Sequence, residues 1–153
     1  MIIKRKRLGL TNYKKRLNLL KSGKDRLVIR LSNKNIIAQV VKYSDKGDKV
    51  LAFANSRELI KLGWTGARRN TPVGYLVGLL LSKKSKIKDV VCDFGFHSTR
   101  KGTIVYAVVK GAIDGGMKIP CDESVFPDDK RIKGEHIKIK DFEKVKKNIG
   151  AMK

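Results

Sequence analysis

"IKDVVCDFGF", residues 87–96, is a nearly unbroken apolar run with Val90, Val91 and Cys92 at its centre. A strand with one wet face alternates apolar and polar residues, whereas an unbroken run suits a central or parallel strand covered on both faces. What flanks this run determines how it joins a sheet. Before it, "TPVGYLVGLLLSKK" (71–84) is apolar almost all round. That predicts a deeply packed helix over 72–84, started by Thr71, with Pro72 in the turn where no amide hydrogen is needed. After it, "TIVYAVVKGAIDGG" (103–116) is ambiguous by period. Its length, its place after a strand and Lys110 four residues before Asp114 favour a helix that ends at Gly115-Gly116.

Upstream the period is two. In "RLVIRLS" (26–32), Leu27, Ile29 and Leu31 alternate with Val28, Arg30 and Ser32. "SNKN" (32–35) and "SDKGD" (44–48) are turn signals around the β-branched run "IIAQVVKY" (36–43), and "KVLAFAN" (49–55) is a third strand. Short turns between three strands make an antiparallel meander. Ser56 is placed to cap a short helix in "RELIKLGW", and a strand–helix–strand succession then requires a parallel crossover. The expected fold is mixed α/β (α+β): an antiparallel three-strand meander plus a parallel fourth strand, packed with helices. Gly74 and Gly78 are expected to let the 72–84 helix approach the sheet closely. The chain divides into a basic arm (1–24) with a short helix near 11–22, a mixed domain (25–117) and a C-terminal extension (118–153). The arm helix, started by Thr11 and stopped at Gly23, carries an apolar stripe of Leu10, Tyr13, Leu17 and Leu20. The extension is irregular over 117–140 and ends in an amphipathic helix, 141–149, on Phe142, Val145 and Ile149.

Charge dominates the composition. Thirty-six Lys and Arg against fourteen Asp and Glu leave +22 on 153 residues, while 41% of the residues are hydrophobic, enough for a core. Half of the excess lies in residues 1–34, where twelve Lys and Arg meet one acid, Asp25. A body so charged needs a polyanion, with nucleic acid the leading partner and an acidic membrane surface the weaker one. The longest apolar run, "PVGYLVGLLL", is half the ~20 residues a spanning helix needs, and "MIIKRKRLGL" lacks the apolar core of a secretory signal. Cys92 and Cys121 have no companion at zinc spacing and read as reduced thiols.

Asp93-Phe94-Gly95 spells a kinase magnesium triplet, but the glycine loop, early-strand lysine and catalytic-loop Asp and Asn that go with it are missing. Asp89 and Asp93, with Asp114, leave one enzymatic alternative: a magnesium-dependent RNA-processing nuclease. His97 and His136 stand alone and are expected to hydrogen-bond within loops. The basic loops are more telling. "TGARRNT" (65–71) and "HSTRKGT" (97–103) each join Arg or Lys to hydroxyls and glycine, a mixture that donates many hydrogen bonds to phosphate and ribose. They join the clusters Lys4, Arg5, Lys6, Arg7 and Lys14, Lys15, Arg16 in pointing to nucleic acid. No recognition-helix or zinc signature is present, so an irregular folded RNA suits them better than DNA. Trp64 is placed either to stack on an unpaired base or to anchor its loop from within.

The segments "TNYKKRLNLLKSGKDRLVIRLSNKNIIAQVVKY", "GWTGARRNTPVGYLVGLLL", "DFGFHSTRKGTIVYAVVKGAIDGGMKIP" and "FPDDKRIKGEHI" resemble the archaeal-type ribosomal protein L-eighteen family from about Leu8 to Ile137. The resemblance implies a structural, non-catalytic protein of the large subunit in the cytoplasm. It would bind 5S rRNA and adjacent 23S rRNA in the central protuberance, beside ribosomal protein L-five, without cofactor, metal, membrane or small-molecule substrate. It also implies RNA contacts at Thr11, Tyr13, Lys14, Lys15, Arg16, Lys21 and Lys24, at Arg26 and Arg30, and at Ser32, Asn33 and Lys34. The loop residues Trp64, Thr65, Arg68 and Arg69, and His97, Ser98, Thr99, Arg100 and Lys101, complete the expected surface.

Overall fold

The structure, a computed structural model, describes residues 8, 9, 11–97 and 99–152. Lys4, Arg5, Lys6, Arg7 and Ser98 therefore lie outside the described residues. In chain order the elements are α1 (Tyr13–Leu20), β1 (Asp25–Leu31), β2 (Ile36–Lys42), β3 (Lys49–Asn55), α2 (Glu58–Lys61) and α3 (Thr71–Lys84). There follow β4 (Val90–Asp93), α4 (Ile104–Asp114), α5 (Asp129–Lys133) and α6 (Phe142–Gly150). The sheet order is β3-β2-β1-β4, with β1–β2 and β2–β3 antiparallel and β4 parallel to β1. This is the mixed sheet that the succession of periods predicts.

The inner sheet face carries Leu27, Ile29, Ile36, Ala38, Val40, Ala52 and Ala54, all buried against α3. Period two places these on one side, and α3, buried from Thr71 to Ser82, fills the core between sheet and α4. α5 and α6 add Ile132, Phe142, Val145 and Ile149 to the same core.

Several local expectations shift. β4 is an edge strand of four residues. Its apolar character is nonetheless accounted for, because the chain after α4 returns beside it: the Lys118 amide donates to the Lys88 carbonyl (2.7 Å) and the Val90 amide to the Lys118 carbonyl (3.2 Å). Asn12, not Thr11, caps α1 by accepting from the Lys15 amide at 3.0 Å. Asn70, not Thr71, caps α3 by accepting from the Val73 amide at 2.9 Å. The first cap lies one position later than read and the second one position earlier, because an asparagine carbonyl reaches the third amide as well as a hydroxyl does. Ser56 caps nothing; it is fully buried and accepts from the Ile36 amide at 3.1 Å, extending the β2–β3 pairing. The 117–140 stretch is less irregular than expected, holding α5 and two single 3-10 turns, Glu123–Val125 and Glu135–Ile137.

The glycine strip of α3 faces α4 instead of the sheet. A Cβ on Gly78 would stand 2.0 Å from the Val108 carbonyl oxygen, and one on Gly111 of α4 would stand 2.0 Å from that of Tyr75. The two backbones therefore touch, which only glycine permits.

Candidate nucleic-acid interface

The outer face of the sheet carries Arg26, Val28 and Arg30 on β1, set opposite Val41, Gln39 and Ile37 on β2 by the antiparallel register. α1 lies across this face. It contributes no buried residue of its own and Leu17 is exposed, so the apolar stripe does not hold it down. Ion pairs do. Arg16 of α1 meets Asp48 of the β2–β3 turn at 2.8 Å, and Arg26 meets the same carboxylate oxygen at 2.7 Å. Arg26 also meets Asp93 at 3.0 Å, and Asp93 meets Arg30 at 3.2 Å. The result is a chain of alternating charge that ties helix, turn and two strands. Lys15 adds a bond to the Gly95 carbonyl at 3.4 Å. Burial raises the Asp93 carboxyl, but Arg30, the Gly95 amide and Arg26 outweigh it and hold the group below the ordinary carboxylate range.

Three clefts run along the strand ends and share residues. The first, about 480 Å³, opens between α1 and the sheet and is bordered by Lys15, Arg16, Arg30 and His97. His97 also borders a second, about 600 Å³, with Arg69, Arg100, Lys101, Arg131 and His136. Arg69 then borders a third, about 840 Å³, with Asn33, Lys34 and Arg68. The surface is thus continuous from the arm helix through the 97–101 loop to the 65–69 loop and the β1–β2 turn. His97 is its hinge pin: Nε2 accepts the Leu31 amide at 3.0 Å, fixing the loop to the end of β1. Burial, then Arg30 and Arg69, lower its imidazole below the ordinary value, so the neutral, accepting form prevails.

Sequence-expected residues divide accordingly. Lys15, Arg16, Arg30, Asn33, Lys34, Arg68, Arg69, Arg100 and Lys101 border this surface. Tyr13, Lys14, Lys21, Lys24 and Thr99 sit around it on α1, its C-terminal turn and the 97–101 loop, while Thr11 borders the first cleft. Four of the expected residues have partners within the protein. Trp64 is 2% exposed and donates Nε1–H to the Ala67 carbonyl at 3.1 Å; it anchors its loop from the core and presents no stacking face. Arg26 is 3% exposed and paired twice, so it props the surface from beneath. Ser32 spends its hydroxyl on Asn35, accepting its amide at 2.9 Å, to close the turn. Thr65 spends its hydroxyl on Asp141. Arg131 and His136 were missed; their only sequence signal is the cation-rich "KRIKGEH", whose position beside Arg100 no local pattern reveals. Gln39, inside a β-branched run, gave no signal at all.

The nuclease alternative is not sustained. Asp89 pairs with Lys24 at 2.9 Å, and both oxygens of Asp93 are held by arginines. Burial, with Cys121 and Asp93 adding to it, pushes the Cys92 thiol up to about 12, which leaves it unreactive. Among the described residues no helix is long and apolar enough to cross a membrane.

A small mixed sheet bearing one continuous cationic surface defines a protein built to hold a polyanion. Residues 1–91 match the family described as "Ribosomal large subunit proteins 60S L5, and 50S L18". The chain is also 49% identical over 138 residues to "Large ribosomal subunit protein uL18" of Thermofilum pendens (strain DSM 2475 / Hrk 5), a match covering 88% of this chain and 70% of that protein. The chain belongs to this family: it is an archaeal-type large-subunit ribosomal protein, an rRNA-binding structural component of the cytoplasmic ribosome and not an enzyme.

Proposed function

We propose that the chain binds 5S rRNA, together with adjacent 23S rRNA, in the central protuberance beside ribosomal protein L-five. Its mechanism is charge neutralisation combined with shape fit. The observation that carries this reading is the shared lining of the three clefts, which joins cations from sequence-distant segments into one surface. Arg30, Arg69, Arg100 and Lys101 serve there as phosphate ligands, and Lys14, Lys15 and Arg16 of α1 extend the surface. A folded RNA read by its backbone suits such scattered donors better than a regular duplex groove. Sequencing the RNA that co-purifies with untagged protein, without selection, tests the reading. Enrichment of 5S rRNA is expected, and a pool without it would refute the assignment.

A further inference from the structure

The cleft beneath α1 has features that phosphate binding alone does not require. Its floor is Val28, Val41 and Val50, one from each of three neighbouring strands, on the face opposite the core. Gln39 lies among them, directly across from Val28, half-buried, and its amide has no hydrogen-bond partner among the described residues. Phe96 stands at the margin with 66% of its surface exposed. Lys15, Arg16 and Arg30 form the rim, where Asp48 and Asp93 orient the two arginines while leaving a net positive edge with Lys15 and Arg26. A half-buried amide that no protein group engages, set over an apolar floor, is free to exchange its water for the polar edge of a flat ligand.

We propose that this cleft receives one unpaired base of the rRNA, its faces against the valines and Phe96, its edge read by Gln39 and its phosphates on the rim. This rests on the rRNA-binding reading above and deepens it. A carboxamide offers one acceptor beside two donors, which complements the edge of a splayed-out base. Adenine, with N6 donating beside the N7 acceptor, is the best match. The volume, about 480 Å³, lies within the ~300–1,000 Å³ of small-ligand pockets. Apolar walls and an exposed aromatic ring supply the sequence-tolerant part of the grip, as in single-strand binding surfaces.

The test binds the full chain to deproteinised large-subunit rRNA, 5S and 23S together, and maps base accessibility by chemical probing. Wild type is compared with Gln39→Ala and with Val50→Trp, which fills the cleft from a position 54% exposed. Neither change alters charge. One unpaired base protected by wild type is expected to become reactive with both variants. Affinity is expected to fall roughly ten-fold while the salt slope stays the same. Gln39→Leu, close in shape, guards against a folding effect and should behave as Gln39→Ala does, at unchanged melting temperature. Protection patterns and affinities identical to wild type for all three variants overturn the proposal. A Gln39-dependent base found in 23S rRNA, without 5S binding, upholds the cleft and removes the 5S assignment. Binding to 5S with no Gln39-dependent base does the reverse.

Discussion

Asp93 holds the outer face together, because both of its oxygens are bound by arginines and one of those arginines is buried. Replacing it with asparagine leaves Arg26, whose Nε already lacks a partner, with Asp48 as its one carboxylate. Leaving a buried charge uncompensated costs about 3–5 kcal/mol; with Asp48 still on Arg26 and Arg30 open to solvent, Asp93→Asn should lose less, about 1–3 kcal/mol, in urea denaturation. The pH dependence follows from the direction of the shift. A carboxyl lowered in the folded state stabilises fully above its unfolded value of ~3.9 and ceases to do so as pH falls through the folded value. Asp93→Asn should therefore flatten the acid limb of a stability profile below about pH 4. His97 shows the same sign at higher pH. Its imidazole is lowered in the folded state, so its contribution is full above ~6.5 and declines as pH drops below that, when a proton on Nε2 evicts the Leu31 amide. His97→Phe should abolish that step and weaken RNA binding by loosening the 97–101 loop, as a titration at pH 7.5 would read.

At the scale of elements, the crossing of α3 and α4 is the tightest joint. Gly78→Ala puts a methyl 2.0 Å from the Val108 carbonyl oxygen, backbone that cannot swing away, and the helices must separate. A loss of ~2–3 kcal/mol or more is expected in thermal or chemical denaturation. Gly150→Ala is the control: a Cβ there meets nothing within 4 Å, and it should be neutral or stabilise by up to ~1 kcal/mol. α1 and α6 contrast in the same way. α1 buries no residue, whereas α6 buries Phe142, Val145 and Ile149. Deleting residues 1–24 should leave a cooperative unfolding transition and weaken RNA binding. Ending the chain at residue 128 removes four core side chains, Ile132 with these three, worth ~2–5 kcal/mol each, and should abolish that transition.

Over the whole molecule the net charge of +22 acts in opposite directions on stability and on binding. Self-repulsion is screened by salt, so the free protein should melt at a higher temperature as salt rises. Binding goes the other way. If ~6–10 phosphates are engaged, affinity should fall by ~10³–10⁵ between about 50 and 200 mM salt, and a flat titration would count against a phosphate-dominated interface.

The amino-acid order by itself determined the strands and helices, because period and turn chemistry are local properties: β1 to β3, α3, α4 and α6 all lie where the pattern places them. It also determined that a polyanion must be the partner, since charge is additive along a chain. Only the tertiary structure decided what each charge does. Arg26 and Arg30 are four residues apart on one strand face, yet one is sealed between Asp48 and Asp93 while the other reaches solvent. Of the two roles open to Trp64 the core took it inward, while Phe96, just past the end of β4, turned outward. Arg131 came to lie beside Arg100 through the docking of α5 on α3. Burial and pairing depend on contacts between residues far apart in sequence, and a one-dimensional pattern carries no record of which distant segments will meet.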